Sequence, residues 1–211
     1  MKEAWLQRWQ IGRTGWHEPD GNASLKRYWE YTGRRVLVPL CGKSPDLLWL
    51  ESMGNAVTGI ELSELAVVAF FDENELEYTR AANRFDAVGR NLSLYCGDYF
   101  EHDESGTYDA LYDRGSLVAL PAGLRPKYVE HTRRLLISDA QLFVITVEYD
   151  QSRAAGPPFS LSADEVKSYW PDLECRDRYD DLANCPPKFI EAGLTEFHEA
   201  VWQNGATVLS D

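Results

Sequence analysis

The stretch from Arg35 to Glu61, RVLVPLCGKSPDLLWLESMGNAVTGIE, constrains the fold more than any other part of the chain. Val36, Leu37 and Val38 make a short apolar run of the kind that forms a buried parallel strand, and Pro39 to Ser44 breaks it with turn residues. Leu47, Leu48, Leu50 and Met53 then recur at helical spacing, opened by Ser44 with Pro45 just inside and stopped by Gly54 and Asn55. Ala56 to Ile60 returns to a strand, and Glu61 stands at its carboxyl end. In an open parallel sheet that end is where ligands bind.

The same alternation continues. Ser63 to Phe71 predicts an amphipathic helix with Ser63 as its N-cap, and Leu92, Leu94 and Cys96 alternate as a strand ending in Gly97-Asp98. Tyr108 to Tyr112 predicts a strand finishing in Asp113-Arg114-Gly115-Ser116, Leu124 to Leu136 a helix, and Leu142 to Val147 a further strand. Tyr78 to Arg90 reads as a loop or insertion. Ser162 can cap a helix through Trp170, and Leu173 to Val208 reads as a strand, a connection at Pro186-Pro187, and a closing strand near Phe197 to Trp202. Strands joined by helices make parallel pairs, so one doubly wound α/β domain over residues 1–211 is expected. Within it, residues 1–33 form an amino-terminal arm with a short helix around Trp5 and Trp9 and a second from Leu25 to Tyr31. Trp5, Trp9 and Trp16 either pin this arm to the core or make it a lid over a flat or cationic ligand.

Composition narrows the partners. With 44% hydrophobic residues among 211, the chain can bury a sizeable core. A net charge of -13 argues against binding a phosphate backbone, and no apolar run has the length of a bilayer span or a signal sequence. Cys41, Cys96, Cys175 and Cys185 form no CxxC pair, which fits a reducing cytoplasm, and His17, His102, His131 and His198 are too scattered for a metal site. The oligomeric state is not readable from the sequence, with a monomer favoured.

Gly42 and Glu61 meet the spacing of a nucleotide site, a close turn after the first strand and an acid about 20 residues on to hold ribose hydroxyls. GxGxxG is absent, which counts against a dinucleotide and an NAD-dependent oxidoreductase. The Gly42-Lys43-Ser44 triplet also fails as a P-loop, because the glycine that should lie five residues before it is Leu37. A nucleoside without phosphates has neither requirement. Glu61, Asp98 and Asp113 share one position, each just beyond an apolar strand, and three carboxylates there favour a hydroxyl-rich, cationic ligand: S-adenosylmethionine.

These residues resemble the thiopurine S-methyltransferases, a branch of the class I S-adenosylmethionine-dependent methyltransferases. The likeness rests on W-x3-W at the arm, VPLCGKS-x-D-x2-WL at 38–50, G-x-ELSELAV at 59–67, LYCGDYF at 94–100, YDRGSLVAL at 112–120 and GPPF at 156–159. It implies a seven-stranded, mostly parallel sheet with its last strand antiparallel. It further implies that Trp5 and Trp9 shield the cofactor, that Leu40 and Gly42 form the turn facing it, and that Glu61 binds its ribose. By the same resemblance Asp98 and Tyr99 fall at the adenine, Arg114 lines the junction of cofactor and acceptor, Trp16 packs on the acceptor ring, and Lys188 stands where vertebrate members place an acceptor-facing arginine. Asp98 replaces a small hydroxyl residue of those members. The expected acceptor is a small aromatic or heterocyclic thiol, a thiopurine included, or a selenium or tellurium oxyanion, methylated by in-line displacement. Arg114 would stabilise the attacking anion, and Asp113 would act either as a base through water or as the partner holding Arg114. A protein that binds the cofactor without transferring its methyl is the alternative.

Overall fold

A computed structural model describes residues 2–205; the expected closing run to Val208 extends beyond them. Arg35–Pro39 (β1), Ala56–Glu61 (β2), Leu92–Cys96 (β5), Tyr108–Arg114 (β6) and Leu136–Glu148 (β7) form a parallel array in the order β5-β2-β1-β6-β7. His198–Gln203 (β9) pairs antiparallel with β7, and Glu174–Asp180 (β8) pairs antiparallel with β9 at the edge. These seven strands reproduce the expected sheet, including its reversed last strand.

The run at 36–38 alternates across that sheet as a strand must. Val36 and Val38 pack with Leu25 and Trp29, with Leu47 and Leu50 of the helix Asp46–Ser52 (α3), and with Phe70 and Phe71 of the helix Glu64–Glu73 (α4). Leu37 faces the other way, into the layer of Tyr128 and Leu135 from Arg125–Leu135 (α5), Val166 from Ala163–Tyr169 (α6) and Phe189 from Pro187–Glu191 (α7). With both faces covered, the central strands carry apolar side chains on both sides. Each fully buried side chain of this kind is worth roughly 1.5–3 kcal/mol.

Three sequence expectations need correction. Residues 78–90 are not a loop: Tyr78–Ala81 (β3) and Arg84–Ala87 (β4) form an antiparallel hairpin on β5, widening the sheet to nine strands. Only Phe85 and Ala87 of it are buried, and its turn uses Ala82 at φ 53° where glycine is usual, so the hairpin signal is weak. The second arm helix, Ala23–Tyr28 (α2), stops before Tyr31 because Trp29 leaves it for the core, donating its indole N–H to the Tyr31 carbonyl at 2.7 Å. β7 begins at Leu136, six residues earlier than expected, directly out of α5 and through a register shift opposite Tyr108 and Ala110.

The first arm helix, Lys2–Gln10 (α1), has no buried residue and lies at the carboxyl ends of the strands, with Trp9 against Gly42. Among the described residues no helix is long and apolar enough to cross a membrane.

Gly59 is the tightest point under the site. A Cβ there would stand 2.7 Å from Cys41 Sγ and 3.2 Å from a Leu47 methyl, so overpacking follows from even the smallest side chain. Gly59→Ala is expected to destabilise the fold by about 1–3 kcal/mol, seen as a lower urea midpoint at an unchanged m-value.

Candidate active site

Parallel register brings the ends of β1, β2 and β5 level, pairing Pro39 with Ile60 and Glu61 with Cys96. The chain leaves β1 through Leu40 at φ 47° and Gly42 at φ 56°. A left-handed leucine costs roughly 1–2 kcal/mol, and such strain persists where the surroundings over-determine it. Here they do. The Cys41 N–H donates to the Ile60 carbonyl at 3.0 Å, and the Gly42 N–H donates to Glu61 Oε2 at 3.0 Å. Glu61 Oε1 accepts from the Ser63 N–H at 2.7 Å, so one carboxylate ties the turn after β1 to the start of α4. Ser63 therefore precedes α4 as expected, but its hydroxyl makes no capping hydrogen bond.

Glu61 is buried, and burial outweighs the backbone N–H donors to raise its carboxyl to about 7. Asp98 lies one strand over. Its Oδ1 accepts from the Phe100 N–H at 3.1 Å, and Oδ2 forms an ion pair with Lys2 of the arm. A cavity of about 170 Å³ opens beside it, lined by Ile60, Asn83, Tyr95, Gly97, Asp98, Glu101 and His102. Tyr99 turns its ring the other way, against Tyr128 and His131, with its hydroxyl 2.8 Å from Thr132 Oγ1. That phenol belongs to the core.

Arg114 ends β6. Its Nη1 donates to the Trp16 carbonyl at 2.9 Å, and its Nη2 pairs with the Glu18 carboxylate. Burial opposes its charge, but Glu18, Tyr112, Asp46 and Glu199 more than offset this, so its pKa rises above the ordinary value. The expected role of Asp113 is corrected by its burial. Asp113 is fully buried, accepting from the Ser116 and Leu117 N–H groups, each at 3.2 Å, and from the Tyr128 hydroxyl at 2.7 Å. Among the described residues it makes no ion pair with Arg114, and its oxygens are taken up as a strand-end cap.

The three arm tryptophans meet one another on this edge. Trp16 stands edge-on to Trp5 at 5.0 Å and to Trp9 at 5.7 Å, and the Arg8 guanidinium lies 4.7 Å from the Trp5 ring. Trp9 covers Gly42, where a Cβ would come within 3.3 Å of its ring. All three remain half-buried, which distinguishes them from core tryptophans such as Trp29. Lys188, expected on the acceptor side, donates its ammonium to the Ala155 and Pro157 carbonyls at 2.8 and 2.7 Å, bracing the start of the GPPF loop through backbone oxygens. The cis peptide bonds before Pro157 and Pro158 lie in that loop. Lys43 pairs with Glu73 at 2.5 Å.

Sequence reading missed two residues here. Glu18 sits in a polar, irregular segment where nothing local marks it as the partner of Arg114. Asp46 opens α3 as an ordinary first-turn acid, yet it is buried and accepts from the Tyr112 hydroxyl at 2.7 Å and the Asn22 N–H at 2.8 Å. Only the fold brings those donors to it.

A doubly wound sheet with an acid at the end of β2, a second beyond β5 and no phosphate-cradling turn defines the class I methyltransferase architecture. The solved Burkholderia thailandensis 1,6-didemethyltoxoflavin-N1-methyltransferase, with bound S-adenosylhomocysteine, superposes at a TM-score of 0.64 with 17% identity, covering 96% of this chain and 86% of that one. The family model described as Thiopurine S-methyltransferase (TPMT) matches residues 1–206. A Bordetella petrii thiopurine S-methyltransferase is 41% identical over 95% of this chain and 96% of its own length, and one from Nitrosospira multiformis is 38% identical over 95% and 96%. The chain belongs to the thiopurine S-methyltransferase family, among the S-adenosylmethionine-dependent methyltransferases.

A carboxyl whose pKa is raised on folding favours the native state while protonated. Glu61 thus contributes its full share below about pH 4.5 and loses it as pH rises through about 7. Replacing Glu61 with Gln removes this dependence. Between about pH 5 and pH 8 the stability difference from wild type should move in the variant's favour by on the order of 3 kcal/mol, measured by urea unfolding at each pH.

Proposed function

We propose that this protein transfers the methyl group of S-adenosylmethionine to the sulfur of a small aromatic or heterocyclic thiol, thiopurines included, by direct in-line displacement. The observation that carries the cofactor assignment is the buried Glu61 carboxylate, held by the Gly42 N–H as an acceptor for ribose hydroxyls, at a turn whose Lys43 is paired with Glu73. The sulfonium supplies an activated methyl with a good leaving group. The chain's own task is therefore positioning and water exclusion.

Glu61 holds the ribose, Asp98 the adenine edge, and Leu40 and Gly42 the face of the nucleoside. Trp5 and Trp9 of the arm cover it. Arg114 faces the acceptor and stabilises an attacking thiolate, and Trp16 offers its ring surface. An acceptor that arrives ionised needs no general base, in keeping with the committed hydrogen bonds of Asp113. The same charge logic admits selenium and tellurium oxyanions. Residues 1–33 then act as the lid of one methyltransferase domain, and four free cysteines suit the reducing cytoplasm.

A radiolabel transfer screen over aromatic thiols, thiopurines, selenite and tellurite tests the reading; cofactor binding without transfer to any acceptor would overturn it. Because ribose hydroxyls donate to an ionised Glu61, S-adenosylmethionine affinity should fall about tenfold per pH unit below about 7, measured by calorimetry, and should lose that dependence in Glu61→Gln. Arg114→Met should lower kcat/KM for an ionised thiol by about tenfold or more, a charged hydrogen bond being lost, with a smaller effect on cofactor affinity. Equal losses in both would remove Arg114 from the acceptor side.

A further inference from the structure

We infer that Glu18 sets the acceptor's charge preference, acting as an internal anion that occupies the Arg114 guanidinium and must be displaced when an anionic acceptor binds. The inference rests on the placement of Arg114 at the acceptor side.

Glu18, Asp46 and Glu199 act on this arginine and Asp113 precedes it in β6; all but Glu18 have other work. Asp113 is turned to Ser116, Leu117 and Tyr128. Asp46 takes the Tyr112 hydroxyl and the Asn22 N–H. Glu199 is buried with the Tyr179 hydroxyl at 2.5 Å and Ser24 Oγ at 3.2 Å. Among the described residues Glu18 alone forms an ion pair with the guanidinium. An arginine whose charge is already matched offers a weaker attraction to an incoming thiolate than a free one.

The pair is also built to exchange. Glu18 lies in the connection between α1, which ends at Gln10, and α2, which starts at Ala23, and its side chain is 37% exposed. Its second oxygen accepts only the Asn22 amide at 3.3 Å. Swung away from Arg114, the carboxylate reaches water. Arg114 cannot follow, since its side chain is only 22% exposed and Nη1 stays fixed by the Trp16 carbonyl. An anionic acceptor would thus trade places with one carboxylate and leave the local charge balanced. A neutral acceptor displaces nothing, because the pair it meets is already neutral. Competition of this kind lowers apparent affinity by the fraction of protein in which Arg114 is free.

The test compares 4-nitrobenzenethiol, ionised at neutral pH, with benzyl mercaptan, protonated there, at saturating S-adenosylmethionine. In Glu18→Gln, and independently in Glu18→Ala, the ratio of kcat/KM for the ionised over the protonated thiol should rise roughly three- to tenfold, carried by a lower KM for the ionised one. A ratio that stays or falls in both variants overturns the inference. So does loss of cofactor binding in both, since Glu18 would then be a structural latch. Arg114→Met run in parallel separates the two levels. If it lowers the ratio while the Glu18 variants do not move it, only the role of Glu18 fails; if it leaves the ratio untouched, the acceptor-side reading of Arg114 fails.

Discussion

One carboxylate organises the carboxyl edge of this sheet. Glu61 gathers the Gly42 and Ser63 N–H groups, so the turn after β1 and the start of α4 cannot move independently of β2. The left-handed Leu40 is held by the same arrangement, with Cys41 bonded to the Ile60 carbonyl and its sulfur seated over Gly59. Burying an acid to do this is costly, and the cost appears as its raised pKa. A ligand that brings hydroxyl donors to the remaining lone pairs would stabilise the ionised form, so under the proposed function structural tie and binding group would be one residue.

The arm completes the edge by a different physics. Its second half is anchored by Leu25 and Trp29 in the core, but α1 contributes no buried residue, and the first half is attached by ion pairs, aromatic edges, the Trp16 carbonyl and one close approach to a glycine. Lys2 reaches Asp98 at one end and Glu18 reaches Arg114 at the other. Each pair has one partner more open to water than the other, Lys2 and Glu18 on the arm against Asp98 and Arg114 on the sheet, so the arm side is the one free to exchange.

Much of this was legible in the residues. The run at 36–38, the turn at Pro39 to Ser44 and the acid at 61 carry their own periodicity and spacing, and the strand ends fall where the pattern puts them. The hairpin at 78–87 was not legible, because only two of its eight strand residues are buried and its turn lacks glycine. Asp113 misleads for a related reason: an acid at a strand end looks available to a ligand, and only three-dimensional packing reveals Tyr128 and two N–H groups already in place. Lys188 likewise reads as a free cation until the GPPF carbonyls are seen to claim it. Local pattern reports which face a residue occupies, whereas the partners that claim its side chain depend on the whole fold.

The hairpin has a consequence at the margins of the sheet. By adding to β5 it moves the open edge outward to β3, Tyr78 to Ala81, where Arg80 pairs with Glu64, while the opposite edge, β8, carries Glu174, Arg176, Asp177, Arg178 and Asp180. A foreign strand seeking either border would meet fixed charges of both signs and have to strip their water before gaining a backbone hydrogen bond. The apolar central strands are thereby shut inside borders that discourage stacking of one molecule on another.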